Sequence, residues 1–139
     1  MSKNMRYPVK FEHDETGWAV MFPDIPEALT GGDTREEALA MAQDALVTAF
    51  DFYFEDRREI PTPSTKGEAF VEVPASIAAK VLLLNTMLQT RTSNAELARL
   101  LGTRPQEIQR IVSLSHSTKI DTIANALNAL GKHLELVAI

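Results

Sequence analysis

The sequence predicts an α+β chain in two parts: a β-β-β-α-β domain over residues 1–75, then an all-helical domain over residues 76–139. Three observations carry that expectation. Near the start, apolar residues alternate with a period of two; from Pro74 onward they recur every three or four residues. The charge also changes sign. Residues 1–75 hold 7 Lys and Arg against 15 Asp and Glu, a balance of -8, whereas residues 76–139 hold 7 against 4, a balance of +3. An acidic part joined to a mildly basic one points to different partners for the two.

Each element follows from its local pattern. In "RYPVKFE", Tyr7, Val9 and Phe11 alternate with Arg6, Lys10 and Glu12, as in a strand with one buried face. "HDETG" is a polar turn, and "WAVMF", apolar on both faces, fits a central strand from Trp18 to Phe22 that completes a hairpin. Pro23 and Pro26 break the next segment, after which a short third strand is expected around Ala28 to Thr30. One long helix is expected over "DTREEALAMAQDALVTAFDFYFED". Thr34 and Glu37 form a capping box there, and Leu39, Ala42, Leu46, Ala49, Phe50 and Tyr53 fall on one apolar stripe. Pro61, Pro63 and Gly67 mark a loop before a fourth strand, Phe70 to Val73.

The second part opens with the helical run "ASIAAKVLLLNTMLQ". A second helix follows, capped by Ser93 or Asn94, then a third with Pro105 in its first turn, where a missing N–H costs little. After the polar "SHSTK", a fourth helix closes at Gly131. "HLELVAI" is an alternating segment suited to a strand, and it shares with the fourth helix the role of expected dimer surface.

The stretch "NAELARLLGTRPQEIQRIVS" carries the clearest functional signal. With Asn94 as first position, Leu97, Ala98, Leu101 and Gly102 are fourth, fifth, eighth and ninth, and Ile108 and Ile111 are fifteenth and eighteenth. This resembles the helix-turn-helix of the phage-repressor-like family. The small Ala98 lets two helices cross closely, Gly102 makes the turn, and the two isoleucines seat the second helix on the first. If the isoleucines face inward, Arg104, Gln106, Gln109 and Arg110 face out, where Arg can pair with guanine and Gln with adenine in a major groove. Thr92, Ser93, Ser115, Ser117, Thr118 and Lys119 are expected phosphate contacts. So small a basic surplus neutralises few phosphates, so binding to double-stranded operator DNA as a homodimer or higher oligomer is expected.

Composition narrows the remaining classes. Hydrophobic residues make up 45% and charged residues 24%, as in a globular protein. There is no cysteine, and His13, His116 and His133 lie apart from one another, so no metal site and no cofactor is expected. No apolar run is long enough for a membrane span and "MSKNMRYPVKF" lacks a signal-peptide pattern, so a cytoplasmic location is expected. No catalytic residue is expected either. Two-metal nuclease chemistry needs converging carboxylates, whereas Trp18 to Phe22 has none, and Asp44, Asp51 and Glu55 share a helix face opposite the apolar stripe.

The phrase "GWAVMFPDIPEALTGGDTREEALAMAQDAL" is distinctive. With Trp18, Pro23, Asp24, Ile25, Pro26, Gly32, Asp33, Thr34, Glu36, Glu37 and Ala38 in place, it resembles the HicB antitoxin family, in the branch with a C-terminal helix-turn-helix. The resemblance implies a partial RNase H-like first domain that binds and masks a HicA-type toxin, an mRNA-cleaving ribonuclease. It further implies a second domain that represses the operon encoding both proteins. The acidic first half suits an RNA-binding, hence basic, partner. For that interface the residues singled out are Trp18, Asp24 and Glu27. The alternative is a ligand-responsive repressor whose first domain senses a metabolite.

Overall fold

The computed structural model describes residues 5–138. Those residues group into two compact units. One gathers the chain up to Tyr53 together with Ile60–Pro74; the other combines Phe54–Glu59 with the chain from Ala75 onward.

The first unit is built on a four-stranded antiparallel sheet in the order β3-β2-β1-β4. β1 (Arg6–Asp14) and β2 (Gly17–Met21) form the hairpin, in a register that sets Asp14 opposite Gly17 and Lys10 opposite Met21. The Asp14 carboxylate closes the turn by accepting from the Thr16 amide at 2.8 Å and the Thr16 hydroxyl at 2.6 Å. Those bonds favour the charged form and hold the Asp14 acid below its ordinary range. β3 spans Leu29–Gly32 rather than Ala28–Thr30. The Ala28 amide is already engaged by the Ile25 carbonyl at 3.0 Å, so the ladder on β2 begins one residue later. β4 (Ala69–Glu72) lies on the far side of β1.

The single long helix of the sequence reading is two. α1 (Arg35–Ala40) is capped by Thr34, whose hydroxyl accepts from the Glu37 amide, and α2 (Ala42–Asp56) follows after a break at Met41. Ala40, Met41 and Ala42 are all good helix formers, so local composition gives no sign of that break. Ala38 is fully buried and Leu39 only half-buried, so the inward stripe starts one position earlier than expected. Farther on, Leu46, Ala49, Phe50 and Tyr53 are buried, and the Phe50 ring meets Tyr7 edge-on at 5.7 Å.

Tyr7 anchors this core. It is fully buried, and its hydroxyl donates to the Pro61 carbonyl at 2.6 Å. Burial, helped by the charges of Asp24 and Tyr53, pushes the phenol well above its ordinary value of 10.0. Above that value the unfolded chain gives up a proton that the folded chain keeps, so stability present below it is lost as pH rises past it. Tyr7→Phe is expected to flatten that alkaline decline while costing about 1 kcal/mol at neutral pH for the lost hydrogen bond. Denaturant titrations at neutral pH and at about pH 11 read both effects. An unchanged decline would assign it to other groups.

The second unit packs four helices around one apolar cluster: α3 (Ala75–Gln89), α4 (Asn94–Leu101), α5 (Pro105–Ile111) and α6 (Ile120–Ala129). Each contributes buried side chains, Leu83 and Met87 from α3, Leu97 and Ala98 from α4, Ile108 and Ile111 from α5, Ile123 and Leu127 from α6. The expected strand over "HLELVAI" does not form, because residues 132–138 have no ladder partner within the described chain; Ile139 lies outside the described residues. Among the described residues, no helix is long and apolar enough to cross a membrane.

Candidate nucleic-acid interface

The surface around α4 and α5 is assembled by caps at every junction. Arg91, in the left-handed conformation at φ 55°, ends α3, and the Thr92 amide returns to the Met87 carbonyl at 2.9 Å. Ser93 is the N-cap of α4. Its hydroxyl accepts from the Glu96 amide at 3.1 Å, and the Glu96 carboxylate accepts from the Ser93 amide at 3.3 Å. That capping box was visible in "SNAE", although Glu96 was not among the residues singled out. α4 closes at Gly102, φ 67° and ψ 36°, a conformation that costs a side chain but not a glycine. The Thr103 amide then bonds the Ala98 carbonyl at 2.9 Å, and Arg104 and Pro105 start α5.

Burial sorts the rest. Leu97, Ala98, Ile108 and Ile111 point into the cluster, with Leu101 packed at its edge. Arg104, Gln106, Gln109 and Arg110 are exposed; Gln106 with Gln109 and Arg110 occupies one helical face by i, i+3 and i, i+4 spacing. Thr92 is half-buried, with its hydroxyl 2.8 Å from that of Thr90, while Ser93 is exposed but committed to its cap.

After α5 comes the loop Ser113–Lys119, which carries the exposed Ser115, Ser117 and Lys119 and the half-buried Thr118. It is fastened from beneath. Lys80, on α3, is 2% exposed, and its ammonium donates to the Ser113 carbonyl at 2.6 Å and the His116 carbonyl at 2.5 Å. Burial pulls this ammonium below the ordinary lysine range, while the two carbonyls act the other way by stabilising the charged form. Its only mark in the sequence is a lone cation inside "SIAAKVLLL".

The residues singled out for partner binding on the first unit divide. The Asp24 carboxylate accepts from the Ser64 amide and hydroxyl, each at 2.7 Å, and Glu27 accepts from the Tyr53 hydroxyl at 2.7 Å. Both acids therefore pin the unit's own loops. Trp18 stacks on His13 with ring centroids 4.3 Å apart. It also lines an open hollow of about 340 Å³ edged by Glu12, Asp14 and Asp33. Glu12 and Asp14 stand two apart on β1, on one face of the strand, whereas Asp33 follows β3 and is brought to them by strand register, so sequence spacing reveals only the first two. Asp44, Asp51 and Glu55 are exposed on α2, and no group of three His, Asp or Glu among the described residues is placed to hold a metal ion.

Comparison with known proteins decides the kinship. The family described as HicB_like antitoxin of bacterial toxin-antitoxin system matches residues 6–82. The chain belongs to the HicB antitoxin family. It is similar to "Antitoxin HicB 1" of Photorhabdus laumondii subsp. laumondii, 56% identical over 96% of this chain and 87% of that one. It is similar to "Antitoxin HicB" of Escherichia coli K12 at 54% identity, over 97% of this chain and 100% of the relative. With "Antitoxin HicB" of Pseudomonas fluorescens Pf0-1 the identity is 42%, over 95% and 97%. The HicB kinship thus extends beyond the matched family segment and takes in the helices of the second unit.

Proposed function

We propose that this HicB-family chain is a non-catalytic antitoxin that captures a small basic HicA-type ribonuclease and represses its own operon in the cytoplasm. In this reading the acidic first unit holds the toxin, and a dimer or higher oligomer of the second unit holds operator DNA. The observation that carries the DNA half is α5 itself. Ile108 and Ile111 are buried beneath it, and Arg104, Gln106, Gln109 and Arg110 are exposed from its start to its last turn. A helix seated this way, after a glycine turn, presents hydrogen-bonding side chains to a major groove. The toxin half is supported by the kinship with antitoxins and by the balance of -8 over residues 1–75. Trp18, beside the acidic hollow, is its residue of choice, an aromatic contact ringed by carboxylates that suit a cationic partner.

Two measurements on the full chain test the two halves. Mobility shift with the DNA upstream of its own operon should give a specific, salt-sensitive complex. Arg110→Ala should weaken it by about 1–3 kcal/mol and relax base preference, if the guanidinium is bidentate to a base. An unchanged affinity would remove Arg110 from the readout set. Co-purification with the small basic protein encoded beside it, with suppression of that partner's RNA cleavage, tests the toxin half. A folded chain that fails to bind the partner would leave only a repressor.

A further inference from the structure

Helix α2 has an outward face that the chain leaves uncovered. Ala42, Leu46, Ala49, Phe50 and Tyr53 turn into the core of the first unit. On the opposite side, at spacings of three and four residues, stand Met41, Asp44, Thr48, Asp51 and Phe52. Met41 belongs to this face because its carbonyl accepts from the Ala45 amide at 3.3 Å, which carries the helical turn across the break. Met41 and Phe52 are 49% and 51% exposed, two large apolar side chains about three helical turns apart on one flank. Beside them, the Asp44 and Asp51 carboxylates have no hydrogen-bond or ion-pair partner among the described residues. α2 offers no cation of its own: its 15 residues include Asp44, Asp51, Glu55 and Asp56 but no Lys or Arg. Partial burial raises the Asp51 acid above its ordinary value, a cost to the charged form that no neighbouring cation offsets.

We propose that this face, from Met41 to Phe52, is where the basic toxin docks, laying an apolar ridge flanked by Lys or Arg side chains along α2. The proposal rests on the toxin reading above and names the surface of the first unit that carries it. Charge selects the occupant. A second copy of the same face would set its carboxylates against these, and a nucleic acid would bring phosphates to them, so both are repelled. A cationic protein surface meets Asp44 and Asp51 with opposite charge. Exposed ion pairs alone contribute little, and Met41 and Phe52 supply the apolar contact that such pairs lack. Methionine and aromatic side chains are also the types enriched where proteins meet. The outward carboxylates of α2, too scattered to hold a metal ion, acquire a use as the charged margin of that contact.

The test is the affinity of the full chain for the small basic protein encoded beside it, by isothermal titration calorimetry. Phe52→Ala, Asp44→Lys and Asp51→Lys should each weaken binding about tenfold, and the two reversals together about a hundredfold. Glu68→Lys makes the same change of charge at an exposed residue ahead of β4 and should stay within about twofold of wild type. Asp44, Asp51 and Phe52 are exposed, so helix content should be unchanged, which circular dichroism checks. α2 variants that bind like wild type would overturn the docking face and leave the toxin reading standing. A Glu68→Lys loss as large as theirs would also overturn it, by showing that net charge alone attracts the partner. Normal binding by the α2 variants with loss in Trp18→Ala would place the partner at the acidic hollow instead. A folded wild-type chain that does not bind the partner would remove the toxin reading and this face with it.

Discussion

Ile108→Ala is expected to cost about 2–5 kcal/mol of the stability of the second unit and, under the repressor reading proposed above, most of the operator binding at physiological temperature. Ile108 is fully buried, in the cluster that also holds Leu97 and Ala98 of α4, Met87 of α3 and Ile123 of α6. α5 has seven residues, too few to be helical by its own propensity, so its position depends on the side chains that seat it. Removing three carbons there leaves a cavity between elements that cannot all close on it. Urea denaturation followed by helix signal reads the loss. A loss under about 1 kcal/mol would mean that the cluster repacks and that α5 is held by something else. Arg110→Ala should leave the same denaturation curve in place, which separates seating the helix from reading DNA.

Lys80→Met should cost about 1–3 kcal/mol, because the apolar replacement fills the space but leaves the Ser113 and His116 carbonyls without their donor. The loss should be concentrated in the loop after α5. Hydrogen exchange is expected to speed up across residues 113–119 more than in α3, where the substituted residue itself lies. If operator binding uses Ser115, Ser117 and Lys119, the variant should also show a shallower salt dependence, since fewer phosphates are held in register. Unchanged exchange in that loop would show that Lys80 merely fills space.

Kinship was the most legible property. The run from Gly17 to Leu46 combines an aromatic strand, two prolines around Asp24, and a Gly-Asp-Thr helix start, and the comparisons agree with the family that this run suggests. The candidate surfaces were legible unevenly. Gly102 and the isoleucines of α5 stand at spacings that follow from helix geometry, so inward and outward positions could be told apart by counting. Asp24 and Glu27 were less legible for the opposite reason. An acid in a proline-rich turn looks available, but Ser64 and Tyr53, 40 and 26 residues away, take up their oxygens.

By itself, then, the sequence determined whatever depends on a few adjacent residues: the alternation of β1, the caps at Thr34 and Ser93, the left-handed turn at Gly102, and the apolar faces of the helices. These are set by backbone sterics and side-chain period, which neighbours within one or two turns control. Only the tertiary structure decided that β4 joins β1, that the long helix breaks at Met41, and that Lys80 holds carbonyls 33 and 36 residues away. It also decided that residues 132–138, strand-like in pattern, find no ladder partner among the described residues. A ladder, a buried ammonium and a seated helix each need a partner from elsewhere in the chain. The free energy of bringing that partner in is a property of the whole fold, and no local window contains it.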